Sequence, residues 1–490
     1  MDRCSRANNQ YGADFCHIFE SQQETPLAAA RIELDFTTMI AYALCLFSFC
    51  ICFLAGRRQL WAGFVATLAV GYFYGILRAN IPQPASHFIF DTGALGLYLA
   101  LLTRTYSPAQ KYKVRKLMPW VLCLTVWPTL LFFVPIQNPL IQLVGLRGQI
   151  FFLPFLLIGA QLERDDANKI ALSLAVLNMI VLVFALLEVE LGVPRFYPYN
   201  VVDDIIYISA VQLRSGGLVT RIPATFTSSA AYGGNMIASL PFLLGVLTQE
   251  RRAPSRRNLL LAGTGVSAVG VFLAASRTEA VSLFLLFLVF GGVTFWRRSR
   301  NMPWGGWLAL LLGLAWLVYS VPRMQRFVEL GNTSYVGSRI GSSVNGAFLQ
   351  LMTDYPLGNG LGCCGTSMPY FLAGQVRNPV GMENEYARIM LEQGVPGLAL
   401  WMVFIVWLLT RPVPRRSEPW YVGRWLARFL CTISFATAPM GLGMLTAIPQ
   451  TASLLLLCGW IASPQIVPVR RRARQAEDFP EQSTAALQGA

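Results

Sequence analysis

Charge is what this chain has least of. Asp, Glu, Lys and Arg together make up 13% of its 490 residues, about half the ~25% of an average soluble domain. A chain of that length cannot cover its outside with polar groups, so a soluble globular protein, a disordered chain and a fibrous repeat are excluded. Histidine is nearly missing. His17 and His87 are the two it has, which leaves the commonest general base and metal ligand almost unavailable. No Cys/His spacing resembles a zinc site, and neither a metal nor a cofactor is expected. Long alternating runs are absent as well. Segments such as LFLLFLVF do not alternate, which excludes spanning β-strands. The N-terminus has no basic stretch followed by a cleavage site, so no removed signal peptide is expected.

What is present is apolar. Hydrophobic residues reach 54% and mean hydropathy is +0.49. A membrane-spanning helix needs about 20 mostly apolar residues. That window gives thirteen spans, at 36–56, 60–77, 86–103, 118–136, 142–162, 169–190, 231–248, 258–275, 279–296, 304–321, 387–410, 425–442 and 446–463. The expected fold is all-α, a polytopic bundle of 12–13 transmembrane helices with two long outer loops. Residues 1–35 precede it. Helices fill 36–190, a first long loop 191–230, central helices 231–321, a large loop 322–386 and further helices 387–463, before a basic tail at 464–490. Among the ten cysteines, Cys45, Cys50, Cys52, Cys123, Cys431 and Cys458 sit in apolar spans as small packing residues. Cys363 and Cys364 are adjacent, and Cys4 and Cys16 can pair in an oxidising compartment.

Net charge is +14, and its placement decides what it means. Alternate connections, beginning at Arg57 and Arg58 and ending in the Arg470–Arg474 tail, hold 25 of the 39 basic residues and all four lysines. The positive-inside rule therefore puts these loops and the C-terminus on the cytoplasmic side of the membrane. With thirteen spans residues 1–35 lie outside, and with twelve they lie inside. The surplus faces anionic lipids and supports no nucleic-acid partner.

The outer side is close to neutral, so its charges stand out. Charged groups at a membrane boundary are costly and mark functional sites by default. Arg147 lies in VGLRGQIFF, Arg214 and Arg221 in the first long loop, Arg277 in AASRTEAV between two spans, and Arg339 ahead of a stretch with apolar Ile340, Val344, Phe348 and Leu351. That spacing predicts an amphipathic interfacial helix, followed by a tight, adaptable loop with glycines at 358, 360, 362 and 365. Guanidinium groups bind phosphate bidentately and stay charged, although each arginine can also snorkel to headgroups. Glu383 and Glu385 immediately precede a span. A carboxylate there suits a general base or caps the helix start.

Four segments in order resemble the O-antigen ligase and polymerase superfamily of bacterial inner-membrane proteins. They are RIPATFTSSAAYG, the Ser-Arg-Thr at 276–278, DYPLGNGLG at 354–362 and ENEYARIMLEQGVPGLALW, and GLRGQIFFLPFLLIG is also similar to a span of exopolysaccharide-polymerase relatives. The resemblance covers about residues 140–410. It implies a metal-independent GT-C-like glycosyltransferase whose donor is an oligosaccharide on undecaprenyl diphosphate, handled in the periplasm. The family's diphosphate-gripping arginines carry over onto Arg221 and Arg277, with Arg147, Arg214 and Arg339 as further substrate-binding residues. Its ligases activate the acceptor with a histidine, and Glu383 stands in that place, followed by Asn384 and Tyr386. That departure favours an exopolysaccharide or O-antigen polymerase, with a glycan acceptor, over a ligase to lipid A-core. A flippase and a chain-length regulator are the partners a polymerase implies. A membrane transporter is another reading, but no internal repeat supports it; a peptidoglycan polymerase is a closer rival, which shares a lipid-diphosphate donor and would act on lipid II.

Overall fold

The computed structural model describes residues 36–200, 206–207, 211–212, 218–249, 254–298, 348–365, 368, 370–380, 384–412, 420–441 and 443–463, with single positions at 334, 337 and 341. Among these the chain is an all-α membrane protein. Its helices are α1 (Phe36–Arg58), α2 (Leu60–Asn80), α3 (Ile89–Leu102), α4 (Pro108–Phe132), α5 (Pro139–Ile150), α6 (Pro154–Gln161) and α7 (Arg164–Leu191), then α8 (Ser229–Leu247), α9 (Pro254–Leu273), α10 (Arg277–Arg298), α11 (Phe348–Asp354), α12 (Glu385–Leu409), α13 (Tyr421–Thr437) and α14 (Gln450–Ala462). In the α7–α8 connection a short antiparallel ladder pairs Val211 with Val219.

Eight of the expected spans coincide with helices long and apolar enough to cross a membrane. One of the eight, the 142–162 span, is α5 and α6 in succession, because Pro154 lacks an N–H and opens a new helix after the turn at 151–153. The other five stand differently. The helix expected at 118–136 starts ten residues earlier, where Ser107 and Gln110 form a reciprocal capping box ahead of Pro108. The 258–275 span is α9. The 425–442 and 446–463 spans fall on α13 and α14, whose 17 and 13 residues are short of the ~20 a straight crossing needs. The 304–321 span lies outside the described residues, as do Cys4 and Cys16.

The core forms around α8, which is buried at Ser229 and continuously from Ala231 to Val246. It packs against α7, α9 and α13. Lipid is as apolar as leucine, so burial alone does not drive helices together. Close approach and interhelical hydrogen bonds do. Between α6 and α14 the backbones touch reciprocally. A Cβ at Gly159 would stand 1.9 Å from the Leu456 carbonyl oxygen, and one at Gly459 2.0 Å from that of Leu156. Deeper in, Tyr72 donates to Asn178 Oδ1 (2.9 Å), and Asn178 Nδ2 donates to Ser239 (2.9 Å) and Ser267 (2.8 Å). One amide thereby ties α2, α7, α8 and α9 together, at ~0.6–2 kcal/mol per bond.

Candidate functional site

Two arginine-bearing turns meet the first turn of α8. The first is Arg221–Ser228, the end of the long α7–α8 connection, in which residues 222–226 are all buried. A buried turn must place its backbone N–H and C=O groups, and α2, α7 and the segment after α7 meet several of them. Ala224 adopts φ +53°. Its N–H donates to Glu188 Oε2 (2.9 Å), and the Tyr197 hydroxyl lies 2.8 Å from both the Ala224 and Phe226 carbonyl oxygens. The Ile76 N–H of α2 reaches the Thr225 carbonyl at 3.1 Å, and Phe226 N–H closes the turn onto Pro223 (3.0 Å). Ser228 then caps α8 by accepting from the Ala231 N–H (3.2 Å).

Contact with α2 is so close that only glycine fits. A Cβ on Gly75 would lie 2.1 Å from the Phe226 carbonyl carbon and 2.4 Å from the Thr227 nitrogen. Backbone cannot rotate out of the way as a side chain can. Gly75→Ala is therefore expected to displace the turn and lower the melting temperature in detergent. An unchanged melting curve would show that the turn tolerates the shift.

The second turn joins α9 to α10. Ala275 adopts φ +50°, and Arg277 is the first residue of α10. This turn presses on α8 at Gly233, where a Cβ would stand 3.2 Å from Ala274 Cβ and 3.4 Å from Glu279 Cγ. The two turns thus bracket the residues from Ser228 to Gly233. Arg221 and Arg277 are each half-buried. Among the described residues, Arg221 Nε is buried with no hydrogen-bond partner, as are Glu279 Oε2, Glu188 Oε1, Thr225 Oγ1 and the Tyr232 hydroxyl. An apolar surrounding makes each such atom costly unless a ligand or water meets it. Unmet atoms also occur elsewhere, at Trp420 Nε1 among others; what distinguishes this set is that it lies on and around two turns sharing one helix start.

Other expected site residues have different surroundings. Arg147 is paired bidentately with Asp91, Nε to Oδ2 and Nη2 to Oδ1 at 2.6 Å each. Its side chain keeps 32% exposure and lies over the Phe151 ring, 5.8 Å from its centroid. Arg78, which the sequence reading passed over, stands 5.8 Å from the Tyr74 ring centroid. Asn384 caps α12, its Oδ1 accepting from the N–H groups of Tyr386 (3.0 Å) and Ala387 (3.2 Å). The Tyr386 hydroxyl donates to the Phe435 carbonyl (2.5 Å). Arg214, Arg339 and Glu383 lie outside the described residues, as do Ile340 and Val344, while Phe348 and Leu351 belong to α11.

Below the start of α12 is a buried charged network. Glu385 Oε1 accepts from Arg388 Nη2 (2.7 Å) and its Oε2 from the Gly443 N–H (3.0 Å). Arg388 Nη1 donates to Glu392 Oε2 (2.8 Å), which also receives Gln149 Nε2. Glu385, Arg388 and Glu392 are fully buried.

The glycine-rich segment is tight, with φ of +91°, +94°, +75° and +57° at Gly358, Gly360, Gly362 and Gly365. It is clamped rather than adaptable. In α12 the Leu391 carbonyl would ordinarily accept from the Val395 N–H four residues on. Instead it accepts from Asn359 N–H (2.6 Å), and Val395 donates to Pro356 (2.9 Å). The segment occupies one rung of the helix, at Gly394, whose φ is +69°. Just beyond, Cys363 and Cys364 are joined to each other by a disulfide, a bond their adjacency did not announce.

No protein-family model matches the chain, and no curated protein matches it.

Proposed function

We propose that this protein is a glycosyltransferase of the bacterial inner membrane that moves a glycan from undecaprenyl diphosphate to an acceptor sugar hydroxyl at the periplasmic face, as an exopolysaccharide or O-antigen polymerase. The observation that carries the reading is the buried Nε of Arg221, which no described group meets. It sits on a braced turn that shares the first turn of α8 with the Arg277 turn. A buried guanidinium donor is stable only against an acceptor, and a diphosphate supplies acceptor oxygens with matching charge.

The chemistry follows from where charge develops. The acceptor hydroxyl attacks the anomeric carbon, the bond to the diphosphate oxygen breaks, and negative charge grows on that oxygen. Fixed cations nearby stabilise the transition state more than the ground state, and do so strongly where water is scarce. Arg221 and Arg277 take that role, with Arg147, Arg214 and Arg339 on the substrate. Glu383, at the histidine position of the ligases that the sequence resembles, takes the hydroxyl proton. The polyprenyl tail lies along the apolar helices, which accounts for a reaction held at a membrane boundary. The protein uses no metal in this scheme.

Purified protein in nanodiscs, given undecaprenyl-diphosphate-linked repeat units in EDTA, is expected to yield chains of two or more repeats and to leave lipid II unreacted. No transfer from the repeat units would overturn the reading. In cells, deletion is expected to abolish polymer while single repeats persist. Free polymer beside bare lipid A-core would identify a ligase instead.

A further inference from the structure

We propose that Glu188 is a positioning residue for Arg221, acting through the Ala224 peptide to hold the turn at the orientation in which the guanidinium meets an anionic phosphate group. The inference rests on the reading of Arg221 given above and adds to it a residue that the sequence motifs do not contain.

The geometry is a grip on a single peptide from two sides. Glu188 takes the Ala224 N–H at 2.9 Å, and Tyr197 lies 2.8 Å from the Ala224 carbonyl oxygen. Ala224 holds φ +53°, a left-handed conformation that costs a non-glycine residue and persists only where its surroundings enforce it. Glu188 is fully buried. Placed in the last turn of α7, it faces the negative end of the helix dipole, where a carboxylate is disfavoured. A helix does not carry a buried acid there for its own stability, so the bond to Ala224 is the local reason for its presence. Arg221 lies three residues from that bond on a turn whose residues 222–226 are all buried. Rotation of the Ala224 peptide is therefore transmitted to Arg221 through backbone. Misplacement of a substrate-holding group by an ångström is enough to cost rate heavily.

An acceptor oxygen is all that this role demands, so the substitutions separate it from proton transfer. Glu188→Gln keeps a carbonyl oxygen for the Ala224 N–H. Glu188→Ala removes it, and Glu188→Asp withdraws it by one methylene while keeping the acid. Two readouts are needed. Hydrogen exchange of the 222–226 peptide in nanodiscs reports the grip without any substrate. Binding of undecaprenyl diphosphate, with kcat and KM for lipid-linked repeats, reports its consequence.

Glu188→Ala and Glu188→Asp are expected to speed exchange at Ala224 at least tenfold and to raise the Kd for undecaprenyl diphosphate and the KM by ~10-fold or more, with a smaller fall in kcat. Glu188→Gln is expected to stay within ~3-fold of wild type in every measure. In an Arg221→Ala background the Glu188→Ala effect on binding should vanish, since the two act through one path. Unchanged exchange in both Glu188→Ala and Glu188→Asp overturns the proposal. So does a Glu188→Gln variant as impaired as Glu188→Ala, which would make the proton the essential feature. An effect of equal size with and without Arg221 overturns it too. If Glu188→Ala fails to fold, Glu188→Asp and Glu188→Gln decide the matter by the same exchange measurement. Faster exchange in the variants, with no binding of undecaprenyl diphosphate by wild type, would leave the grip standing and refute the donor reading.

Discussion

Arg221→Ala is expected to reduce transfer from lipid-linked repeats by about 100–1000-fold, the usual cost of removing one fixed donor from developing negative charge. The sign of its effect on stability is the sharper part. Arg221 Nε is buried without a partner among the described residues, and an unmet buried donor costs stability. Removing it is expected to leave the melting temperature unchanged or to raise it, as happens when a group is held for activity rather than for the fold. Arg221→Lys keeps the charge and loses the planar fork, and should recover only part of the rate. Arg277→Ala is expected to fall in the same range. Reconstituted protein, a single-turnover assay and a thermal melt suffice. Wild-type rates in both alanine variants would end the diphosphate assignment, while a lost rate with a sharply lowered melt would make Arg221 a structural residue.

Arg388→Met is expected to destabilise the protein by about 3–5 kcal/mol. The change leaves Glu385 and Glu392 facing each other in a fully buried site without the cation that joins them at 2.7 and 2.8 Å. Breaking a buried charge network from one side costs far more than replacing all of it. The combination Glu385→Gln, Arg388→Met, Glu392→Gln should therefore recover most of the loss, because amides still accept from the Gly443 N–H and from Gln149. Denaturant midpoints in detergent for the single and triple variants measure this. An Arg388→Met protein with the wild-type midpoint would mean that the network contributes nothing.

The fold was legible because hydrocarbon imposes one rule, about twenty apolar residues per crossing, and eight helices obey it plainly. Local chemistry set what hydropathy leaves open. Within the 142–162 span Pro154 separates α5 from α6, and the Ser107–Gln110 box starts α4 inside a basic stretch that hydropathy alone passes over. Arg277 was legible as a cation in a short turn between spans, and Arg221 as one at the end of a long loop just before a span. Glu188 was not, since Glu188 and Glu190 read as the polar fringe of a helix end. The available signal was its clash with the helix dipole. The spacing of Glu385, Arg388 and Glu392 at three and four residues was also readable as one helix face. What no spacing could reveal is that Asn359 would enter a helix rung more than thirty residues away.

That inserted rung bears on how the protein is made. A helix entering a bilayer must carry its own backbone hydrogen bonds, since hydrocarbon offers none. At Leu391 and Val395, α12 does not, and both groups are met by Asn359 and Pro356. The helix is therefore not self-sufficient as an inserting unit. The segment that completes it emerges from the ribosome first, so it must remain within reach while α12 is threaded into the membrane. Biogenesis of this span is then a joint event between a helix and the segment made before it, with the insertion machinery or an aqueous vestibule covering the two open groups until they meet.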